Sequence, residues 1–477
     1  MKKMKKLTSF MLCLIVLASA VPVCASAAGE ETEPETMTAT IALKETTATA
    51  TGENVKIEGT TVTISASGSY VFSGTLTDGQ ICVDVPKAST EDGEEASADK
   101  GTVKLFFNGV TITGVSKPAV FISNAKNTSI NLAADTENYL YDGEDAYRSE
   151  SGLSFTNNAV IYAKDDLTIK GEGLLSIEAS MNHGIHCNND MKITGGKLKI
   201  KTSGKKVSDD EKFADGIRGK DSVQIKGGEI DINANGDGIK STKGYISISD
   251  GDIEVKADND AVQAEKNITK DGETIKALEI SGGRLKVNGG RSLTVSTEGT
   301  PISITGGNVL ATATEAQPAS VEATQPVLEL NFTEEQVKDQ TLAISKDTET
   351  IFSRKPDKKF KFALISLPDL TTDTEYELTL DGKLLLSNDV AVMTVKAAAG
   401  VTLIENVTVS ASEEFNGDID CDGHTRIADA ILMCRYLAED KDAVVTAEGI
   451  ARMDFDKDGL VTASDTQVLL CYLAGVI

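Results

Sequence analysis

A ten-residue pattern of alternating apolar and polar positions recurs through the middle of the chain. Each copy has two apolar positions, a pair of turn residues and two more apolar positions, as in Met191 to Ile200 with Gly195 and Gly196 at the turn. Strict alternation predicts a strand with one buried face, and the glycines predict a tight turn with positive φ. The copies occupy residues 191–200, 223–232, 246–255, 278–287 and 302–311, with a looser one at 167–177.

The spacing between copies predicts how they stack. The second apolar position of successive copies falls at Ile169, Ile193, Ile225, Ile248, Ile280 and Ile304, in steps of 24, 32, 23, 32 and 24 residues. The two long steps contain polar inserts at 203–213 and 266–276, so the underlying period is about 22–24 residues, as in stacked repeats that share one core. The pattern predicts a mainly β fold, a right-handed parallel β-helix over residues 51–324. A β-sandwich of hairpins is the alternative, which the regular spacing disfavours.

The flanking segments have different compositions. Four lysines, an apolar run and the small residues Ala25 to Ala27 predict a secretory signal peptide over 1–27 and hence a secreted protein. Residues 28–50 are rich in Thr, Ala and Glu and are interpreted as a flexible leader, and residues 325–410 as a small β-rich cap on the open end of the repeats. No later apolar run is long enough for a membrane span. The formal net charge of −26 argues against a nucleic-acid partner.

A second pattern precedes each glycine turn. His183, Asp215, Asp237 and Asp260 occupy matching places two residues before an apolar position. Stacked at the strand spacing of about 4.8 Å, two ionised aspartates repel by about 3.5 kcal/mol at an effective dielectric of about 20. A calcium ion between repeats would reverse the sign. The candidate ligands for such an ion are Asp215, Asn235, Asp237, Asp258 and Asp260. Equally, each aspartate could simply support its turn, since Asp-Gly is a favoured turn pair.

The acidic C-terminal segment contains two loops with the spacing of an EF-hand calcium loop. In DIDCDGHTRIAD (418–429) and DFDKDGLVTASD (454–465), acidic residues lead, glycine stands sixth and aspartate closes the loop at position 12. A solvated acidic tail would not repeat this spacing. The predicted calcium ligands, two of them through backbone carbonyls at position 7, are Asp418, Asp420, Asp422, His424 and Asp429, then Asp454, Asp456, Asp458, Leu460, Thr462 and Asp465.

Each loop leads into an apolar helical segment, and the two segments align with each other. Loop and helix twice, with aspartate at position 12 and no helix before the first loop, resembles the type I dockerin of cellulosomes, over residues 416–477. The resemblance implies an α-helical, EF-hand-like domain that uses Ca²⁺ and docks onto a cohesin of a scaffoldin. The positions that help to choose the cohesin in that family correspond here to Ile427, Ala428, Arg435, Ala463, Ser464 and Leu470.

The repeat region also resembles a known family. Segments such as YVFSGTLTDGQICVDV (70–85), KLFFNGVTITG (104–114), DDLTIKGEG (165–173), NHGIHCNNDMKITGG (182–196) and NGDGIKSTKG (235–244) look like the secreted carbohydrate-binding β-helix family, which is similar in fold to pectate lyases. The resemblance implies binding of plant cell-wall polysaccharide, cellulose or pectin-like, with calcium between the coils. The chain has no tryptophan, so any sugar stacking must use tyrosines. The candidates are Tyr139, Tyr141, Tyr147, Tyr162 and Tyr245.

Two other functions are weighed against non-catalytic binding. A calcium-dependent pectate lyase would need an Arg or Lys base, and Arg218 and Lys240, three residues after the Asp-Gly aspartates, are weak candidates. A purely structural cell-surface protein is the other alternative. We expect a secreted cellulosomal component that binds polysaccharide without cleaving it.

Overall fold

A computed structural model describes fifteen stretches of the chain. They are residues 36–85, 101–114, 117–143, 148–149, 152–153, 158–204, 213–315, 320–346, 349–370, 376–385, 391–396, 417–422, 424–438, 440–455 and 461–474. The predicted signal peptide (1–27) lies outside them. None of the described helices is long and apolar enough to cross a membrane.

The first half of the described chain contains eighteen strands. They are β1 (Ala39–Glu45), β2 (Thr47–Gly52), β3 (Val55–Glu58), β4 (Thr61–Ile64), β5 (Gly68–Thr77), β6 (Gln80–Asp84), β7 (Thr102–Gly114), β8 (Val120–Asn124), β9 (Asn127–Leu132), β10 (Glu137–Asp142), β11 (Arg148–Ser149), β12 (Gly152–Leu153), β13 (Ala159–Ala163), β14 (Asp166–Gly171), β15 (Leu174–Ala179), β16 (His183–Cys187), β17 (Asp190–Ile193) and β18 (Lys197–Thr202).

The remaining described elements comprise eighteen more strands and three helices. They are β19 (Ile217–Gly219), β20 (Ser222–Ala234), β21 (Ile239–Ser241), β22 (Tyr245–Ala257), β23 (Asp260–Ala264), β24 (Ile268–Lys270), β25 (Glu273–Ile275), β26 (Leu278–Gly289), β27 (Arg291–Val295), β28 (Ile302–Ala313), β29 (Val321–Ala323), β30 (Val327–Gln336), β31 (Leu342–Lys346), β32 (Glu349–Arg354), β33 (Phe360–Ser366), β34 (Glu377–Leu380), β35 (Lys383–Leu384), β36 (Ala391–Lys396), α1 (Ile427–Leu437), α2 (Ala447–Ala451) and α3 (Ala463–Leu473).

The predicted in-register stacking of the repeats is confirmed. Ile169 pairs with Ile193, Ile193 with Ile225, and the series continues through Ile248 and Ile280 to Ile304, always between parallel strands. All of these isoleucines are fully buried. Because side chains alternate between the two faces of a strand, a slip of one residue would expose the whole row, and this fixes the register.

The parallel strands close on themselves, and this corrects the fold class. The strands β7, β9, β14, β17, β20, β18, β15 and β10 form a ring of eight parallel pairings, in that order, that returns to β7. The structure is therefore a closed eight-stranded parallel barrel, and the prediction of a parallel β-helix was wrong.

The reason lies in the glycine turns. The sequence pattern treats Gly227 and Gly228 as a break between two strands, whereas both lie inside the single strand β20, with φ of 156° and 102°. The first part of β20 pairs with β17 and the second part with β18. A strand that bends without ending can belong to two ladders at once, and β20 closes the ring for this reason. The strand β7 does the same at the opposite side, pairing with β9 and β10.

A second sheet of ten strands carries the polar residues of the second sequence pattern, which are His183, Asp215, Asp237 and Asp260. Its order is β27, β23, β21, β19, β16, β13, β8, β6, β4 and β3. The pairing of β3 with β4 is antiparallel, and the other pairings are parallel. Its inner side chains and those of the large sheet form one continuous core.

The predicted flexible leader is also corrected. Residues 39–52 form β1 and β2, and β1 pairs in parallel with β5 of the large sheet. Ala39, Ile41 and Leu43 are buried in the main core. The alternation of these residues was hidden because Thr40 and Ala42 lie between them in a segment rich in threonine and alanine. Threonine occurs in strands as well as in leaders.

After residue 325 the pairing changes from parallel to antiparallel. The strand β33 pairs antiparallel with both β28 and β30, and β31, β32, β34 and β35 form a small antiparallel sheet. A separate apolar cluster around Phe332, Phe360 and Leu342 fills this part. The helices α1 and α3 pack around Ile419, Met433 and Leu469 in a third cluster.

Candidate functional site

A row of polar side chains, four of them buried, runs along the starts of five strands in the ten-stranded sheet. The cross-strand partners Ile185, Ile217, Ile239, Val262 and Leu293 lie in one register. Each is preceded, two residues earlier, by a polar residue of the row. We call this row the aspartate ladder; it consists of His183, Asp215, Asp237, Asp260 and Arg291, and its three aspartates are nearly inaccessible to solvent.

The first three members of the ladder each accept a hydrogen bond from the backbone amide of the next. The Asp215 amide donates to Nδ1 of His183 at 2.8 Å, the Asp237 amide to Oδ1 of Asp215 at 3.0 Å, and the Asp260 amide to Oδ1 of Asp237 at 3.0 Å. Buried amides need acceptors of this kind. The side chains therefore join successive repeats where the strand pairing begins.

The second oxygen of each ladder carboxylate faces a protein cation. Arg218 Nη1 donates to Asp215 Oδ2 at 2.9 Å, and Lys240 Nζ donates to Asp237 Oδ2 at 2.6 Å. Arg291 forms two bonds with Asp260, from Nε to Oδ1 at 2.7 Å and from Nη2 to Oδ2 at 2.6 Å. These cations offset the repulsion that stacked aspartates would otherwise have.

Burial still raises the pKa of two ladder aspartates, Asp215 and Asp260. For Asp215 the rise caused by burial is opposed by His183 and Arg218 and reinforced by the carboxylate of Asp237. For Asp260 burial again raises the pKa, and the hydrogen bond from Arg291 opposes it. The ladder is thus a costly arrangement that depends on its donors.

The other two residues of the predicted inter-repeat calcium site lie in different surroundings. The Asn235 side chain donates from Nδ2 to the Gly204 carbonyl at 2.6 Å, and its Oδ1 accepts from Thr202 Oγ1 at 3.2 Å. Asp258 is exposed and accepts from Lys358 Nζ at 2.7 Å. Calcium between the repeats stays a prediction.

The two lyase candidates are held in ion pairs. For Lys240, burial lowers the pKa, but the carboxylates of Asp215 and Asp237 outweigh it, so that the net shift is upward. A lysine whose pKa is raised is protonated at neutral pH and cannot accept a proton from a substrate. Arg218 is a permanent cation and is bonded to Asp215.

The first acidic loop brings three carboxylates together. One oxygen from each of Asp418, Asp420 and Asp422 lies within 4.8 Å of the others. Oδ1 of Asp418 and Oδ1 of Asp420 both accept from the Asp422 amide, at 2.9 and 3.1 Å. Burial and the neighbouring carboxylates of Asp429 and Asp418 raise the pKa of Asp420. Among the described residues this is the one carboxylate, histidine or cysteine cluster with metal-binding geometry.

The aspartate at position 12 organises both loops in the same way. Asp429 Oδ1 accepts from the Ile419 amide at 2.8 Å, and its Oδ2 accepts from the Arg426 amide at 2.7 Å. In the second loop Asp465 accepts from the Phe455 amide at 2.7 Å and from the Thr462 amide at 2.8 Å. Both aspartates are fully buried. Asp429 also caps the start of α1, which explains why each loop leads directly into a helix.

The donor set of the first loop fits calcium. Ca²⁺ prefers hard carboxylate oxygens in a cluster. A divalent cation would relieve the mutual repulsion that adds to the effect of burial in raising the pKa of Asp420. Asp418, Asp420, Asp422 and Asp429, with the His424 carbonyl, would hold the ion. In the second loop Asp454, Thr462 and Asp465 are described, whereas Asp456, Asp458 and Leu460 lie outside the described residues.

Two protein cations already lie against the first loop. Arg426 pairs with Asp422. Arg452, which follows α2, donates from Nη1 to the Asp418 carbonyl at 2.7 Å and to its Oδ2 at 3.1 Å. Sequence reasoning missed Arg452, because the residue is 34 positions away from Asp418 and no motif marks it.

Five predicted cohesin-binding residues are on the surface. Ile427, Ala428, Arg435, Ala463 and Leu470 are exposed. The side chain of Ser464 lies outside the described part. The sequence also missed Ile431, one helical turn after Ile427 on α1, which is 56% exposed.

The tyrosine candidates are scattered across different surfaces. Tyr139 and Tyr141 have parallel rings with centroids 6.4 Å apart on β10. Tyr162 accepts a hydrogen bond from Asn188 and meets the His186 ring edge-on. Tyr245 accepts from Gln224 Nε2 at 3.0 Å. Tyr147 lies outside the described residues.

Comparison with known proteins identifies two regions. Residues 58–351 match a family described as "Carbohydrate-binding domain-containing protein", and residues 416–474 match the type I dockerin domain. A protein of Acetivibrio thermocellus with the same description is 41% identical over 140 residues, which are 29% of this chain and 44% of that relative. This chain therefore matches less than half of the relative's length.

One solved structure is also similar. It is the gadolinium derivative of the polysaccharide lyase-like protein from C. thermocellum, which is 32% identical, with a TM-score of 0.45, over 57% of this chain and 99% of that one.

Proposed function

Because the chain belongs to the family of carbohydrate-binding domain-containing proteins, we propose that it binds plant cell-wall polysaccharide, cellulose or pectin-like, as a secreted component of a cellulosome. The observation that carries the proposal is the presence of a type I dockerin on the same chain. A dockerin implies attachment to a cohesin, here one on a scaffoldin. The protein would thus bring a polysaccharide-binding surface to the assembly.

The surface of the dockerin supports this attachment. Ile427, Ile431 and Leu470 are 60%, 56% and 43% exposed, which is unusual for large apolar side chains on adjacent helices. Ala428 and Ala463 beside them are small and exposed, so that a partner backbone can approach closely. We propose that this surface binds the cohesin.

Calcium would hold the dockerin in its binding form. The segment from 416 to 477 is too short to fold firmly on apolar burial alone, and its third core cluster is small. Ion binding to the two loops therefore contributes to its folding free energy. Between repeats of the β domain, calcium at Asp215, Asn235, Asp237, Asp258 and Asp260 is the alternative to support by protein donors.

We propose binding rather than cleavage. Both lyase candidates, Lys240 and Arg218, are engaged with buried aspartates and are protonated. A pectate-type lyase needs a free base at that place. The cationic side chains instead complete the aspartate ladder.

The attachment is tested by capture of the full chain on immobilised type I cohesins. Wild type should be retained in calcium and released by EGTA, and Asp454→Ala should abolish retention. Asp442→Ala is the matched control, because Asp442 is an exposed aspartate between α1 and α2, outside both loops. The dockerin role would be refuted if the Asp454→Ala variant were retained at the wild-type level. It would also be refuted if wild type were still retained by every cohesin in EGTA.

The polysaccharide role is tested separately by pull-down on insoluble cellulose and on cross-linked polygalacturonate. Binding to either supports the proposal, whereas absence of binding to both contradicts it. Incubation with polygalacturonate and calcium, followed by ultraviolet absorbance, should show no unsaturated product.

A further inference from the structure

A cleft lies between the large sheet and the antiparallel segment that follows it. The outward face of β22, β26 and β28 forms its floor, and β32 with residues 367 and 369 forms its wall. Its volume is about 550 Å³, within the range of about 300–1,000 Å³ that is usual for ligand sites. Nothing in the repeat pattern of the sequence indicates it.

The floor consists of two rows of side chains in register. Asp252, Arg284 and Asn308 are cross-strand partners and form the first row. Glu254, Lys286 and Leu310 form the second in the same way. Hydrogen-bonding groups thus recur along the cleft at the strand spacing of about 4.8 Å, which suits a ligand that is itself a chain of repeating polar units.

The wall adds apolar surface beside these polar groups. Ile351, Phe352 and Leu367 line the cleft, and the Arg354 guanidinium lies over the Phe352 ring, 5.9 Å from its centroid. A few directed polar groups next to aromatic and aliphatic surface are typical of ligand sites. The hydroxyl edges and the C–H faces of a sugar would both find partners here.

The charges of the cleft select against a polyanion. Three cations and three carboxylates line it: Arg284, Lys286, Arg354, Asp252, Glu254 and Asp369. The cations of the floor are already engaged, because Arg284 pairs with Asp252 and Lys286 Nζ lies 2.6 Å from Asp357 Oδ2 and 3.7 Å from Glu254 Oε2. A uronate would be repelled by the three carboxylates, and two of the cations it would meet, Arg284 and Lys286, already pair with carboxylates. Uncharged hydroxyls, in contrast, can donate to the carboxylates and accept from the cations.

We propose that this cleft binds a segment of a neutral glycan chain, of the cellulose type rather than the polyuronate type. The inference rests on the proposed polysaccharide binding and names both its site and its substrate class. Arg284 and Asn308, which project from neighbouring strands of the floor, are the residues that would contact the sugar hydroxyls.

The test measures binding of cellohexaose to the full chain by isothermal titration calorimetry. Arg284→Ala and Asn308→Ala should each weaken binding about tenfold or more, since each removes hydrogen bonds to the ligand. Both residues are exposed, so the variants should fold. Lys197→Ala is the matched control: Lys197 lies in the same register row as Arg284, in an equally exposed pair with Glu229, but outside the cleft.

The outcomes separate this inference from the general function. Weaker binding in both cleft variants with an unchanged control supports the cleft. Equal binding by wild type and both cleft variants overturns the cleft while polysaccharide binding stands. Binding of polygalacturonate but not of cellohexaose overturns the neutral substrate class. A wild type that binds neither these nor insoluble cellulose contradicts the proposed function itself.

Discussion

Replacing Asp237 with alanine would test whether the aspartate ladder holds successive repeats together. The side chain is 2% exposed and accepts from the Asp260 amide, from Asn259 Nδ2 and from Lys240 Nζ. The alanine variant leaves the Asp260 amide buried without this acceptor and Lys240 without its nearest carboxylate. It also removes the charge repulsion between Asp237 and its neighbours in the ladder.

The expected loss follows from these terms. An orphaned buried amide costs about 1–3 kcal/mol, and breaking a buried ion pair costs about 3–5 kcal/mol. The Lys240 side chain is 23% exposed and can recover some hydration, and the relief of repulsion from Asp215 and Asp260 opposes the loss. We therefore expect about 3 kcal/mol, which is a large part of the stability of an ordinary domain.

Guanidinium unfolding followed by circular dichroism in the β region measures this loss. Each variant is compared with wild type in the same buffer, once with calcium and once with EGTA, so that effects of calcium on the dockerin cancel. Asp237→Asn should lose less than Asp237→Ala, because it keeps an oxygen for the Asp260 amide. Asp252→Ala, which removes an exposed carboxylate on β22 of the large sheet, should cost less than about 1 kcal/mol.

The contrast between buffers decides the role of Asp237. If the carboxylate acts through protein donors, the loss is the same with and without calcium. A loss that occurs only in calcium would refute this reasoning and would show that an ion lies between the repeats. A loss below about 1 kcal/mol in both buffers would show that the ladder does not hold the repeats together.

Three further predictions concern other parts of the chain. Asp429→Ala should remove the acceptor of three backbone amides at the first loop. The variant should therefore show both a weaker helical circular dichroism signal at 222 nm and weaker cohesin capture. Normal capture would contradict the organising role of Asp429. Because the carboxylates of Asp215 and Asp237 raise the pKa of Lys240, its ammonium stabilises the fold fully at neutral pH, and this stabilisation is lost as pH rises through the folded-state pKa. Lys240→Gln should therefore be less stable than wild type at pH 7, and the difference should shrink as pH rises through that raised pKa. Burial raises the pKa of Cys187 to about 12 and that of Cys82 to about 11. Maleimide at pH 7 should therefore label the exposed Cys434 rapidly and should label Cys187 and Cys82 only after unfolding. Fast labelling of Cys187 in the folded protein would contradict its burial.

Features encoded within one short segment could be predicted well. The dockerin follows from two loops in which all ligand positions lie within twelve residues, so that spacing alone places them together. The alignment of Ile169 with Ile193 and of its later counterparts follows from the repeat period, because a buried row tolerates no slip. Four members of the aspartate ladder, His183, Asp215, Asp237 and Asp260, could be identified from the sequence because they occupy matching places in successive repeats.

Features that depend on distant partners could not be predicted. Closure of the barrel depends on β20 continuing through Gly227 and Gly228 to pair with two different strands, and the same glycines could equally have ended it. Arg291 and Arg452 reach their aspartates from 31 and 34 positions away. The residues 39–52 become strands only because β5 offers them an edge.

Local chemistry therefore specified the turns, the loops, the helix starts and the buried rows, since these depend on near neighbours and on a regular period. The three-dimensional packing alone determined which cation meets which aspartate, how the parallel strands close and where a cleft opens. The cleft joins residues about 100 positions apart, from Asp252 to Phe352. Such a contact depends on the packing of the whole core and cannot be predicted from a pattern along the sequence.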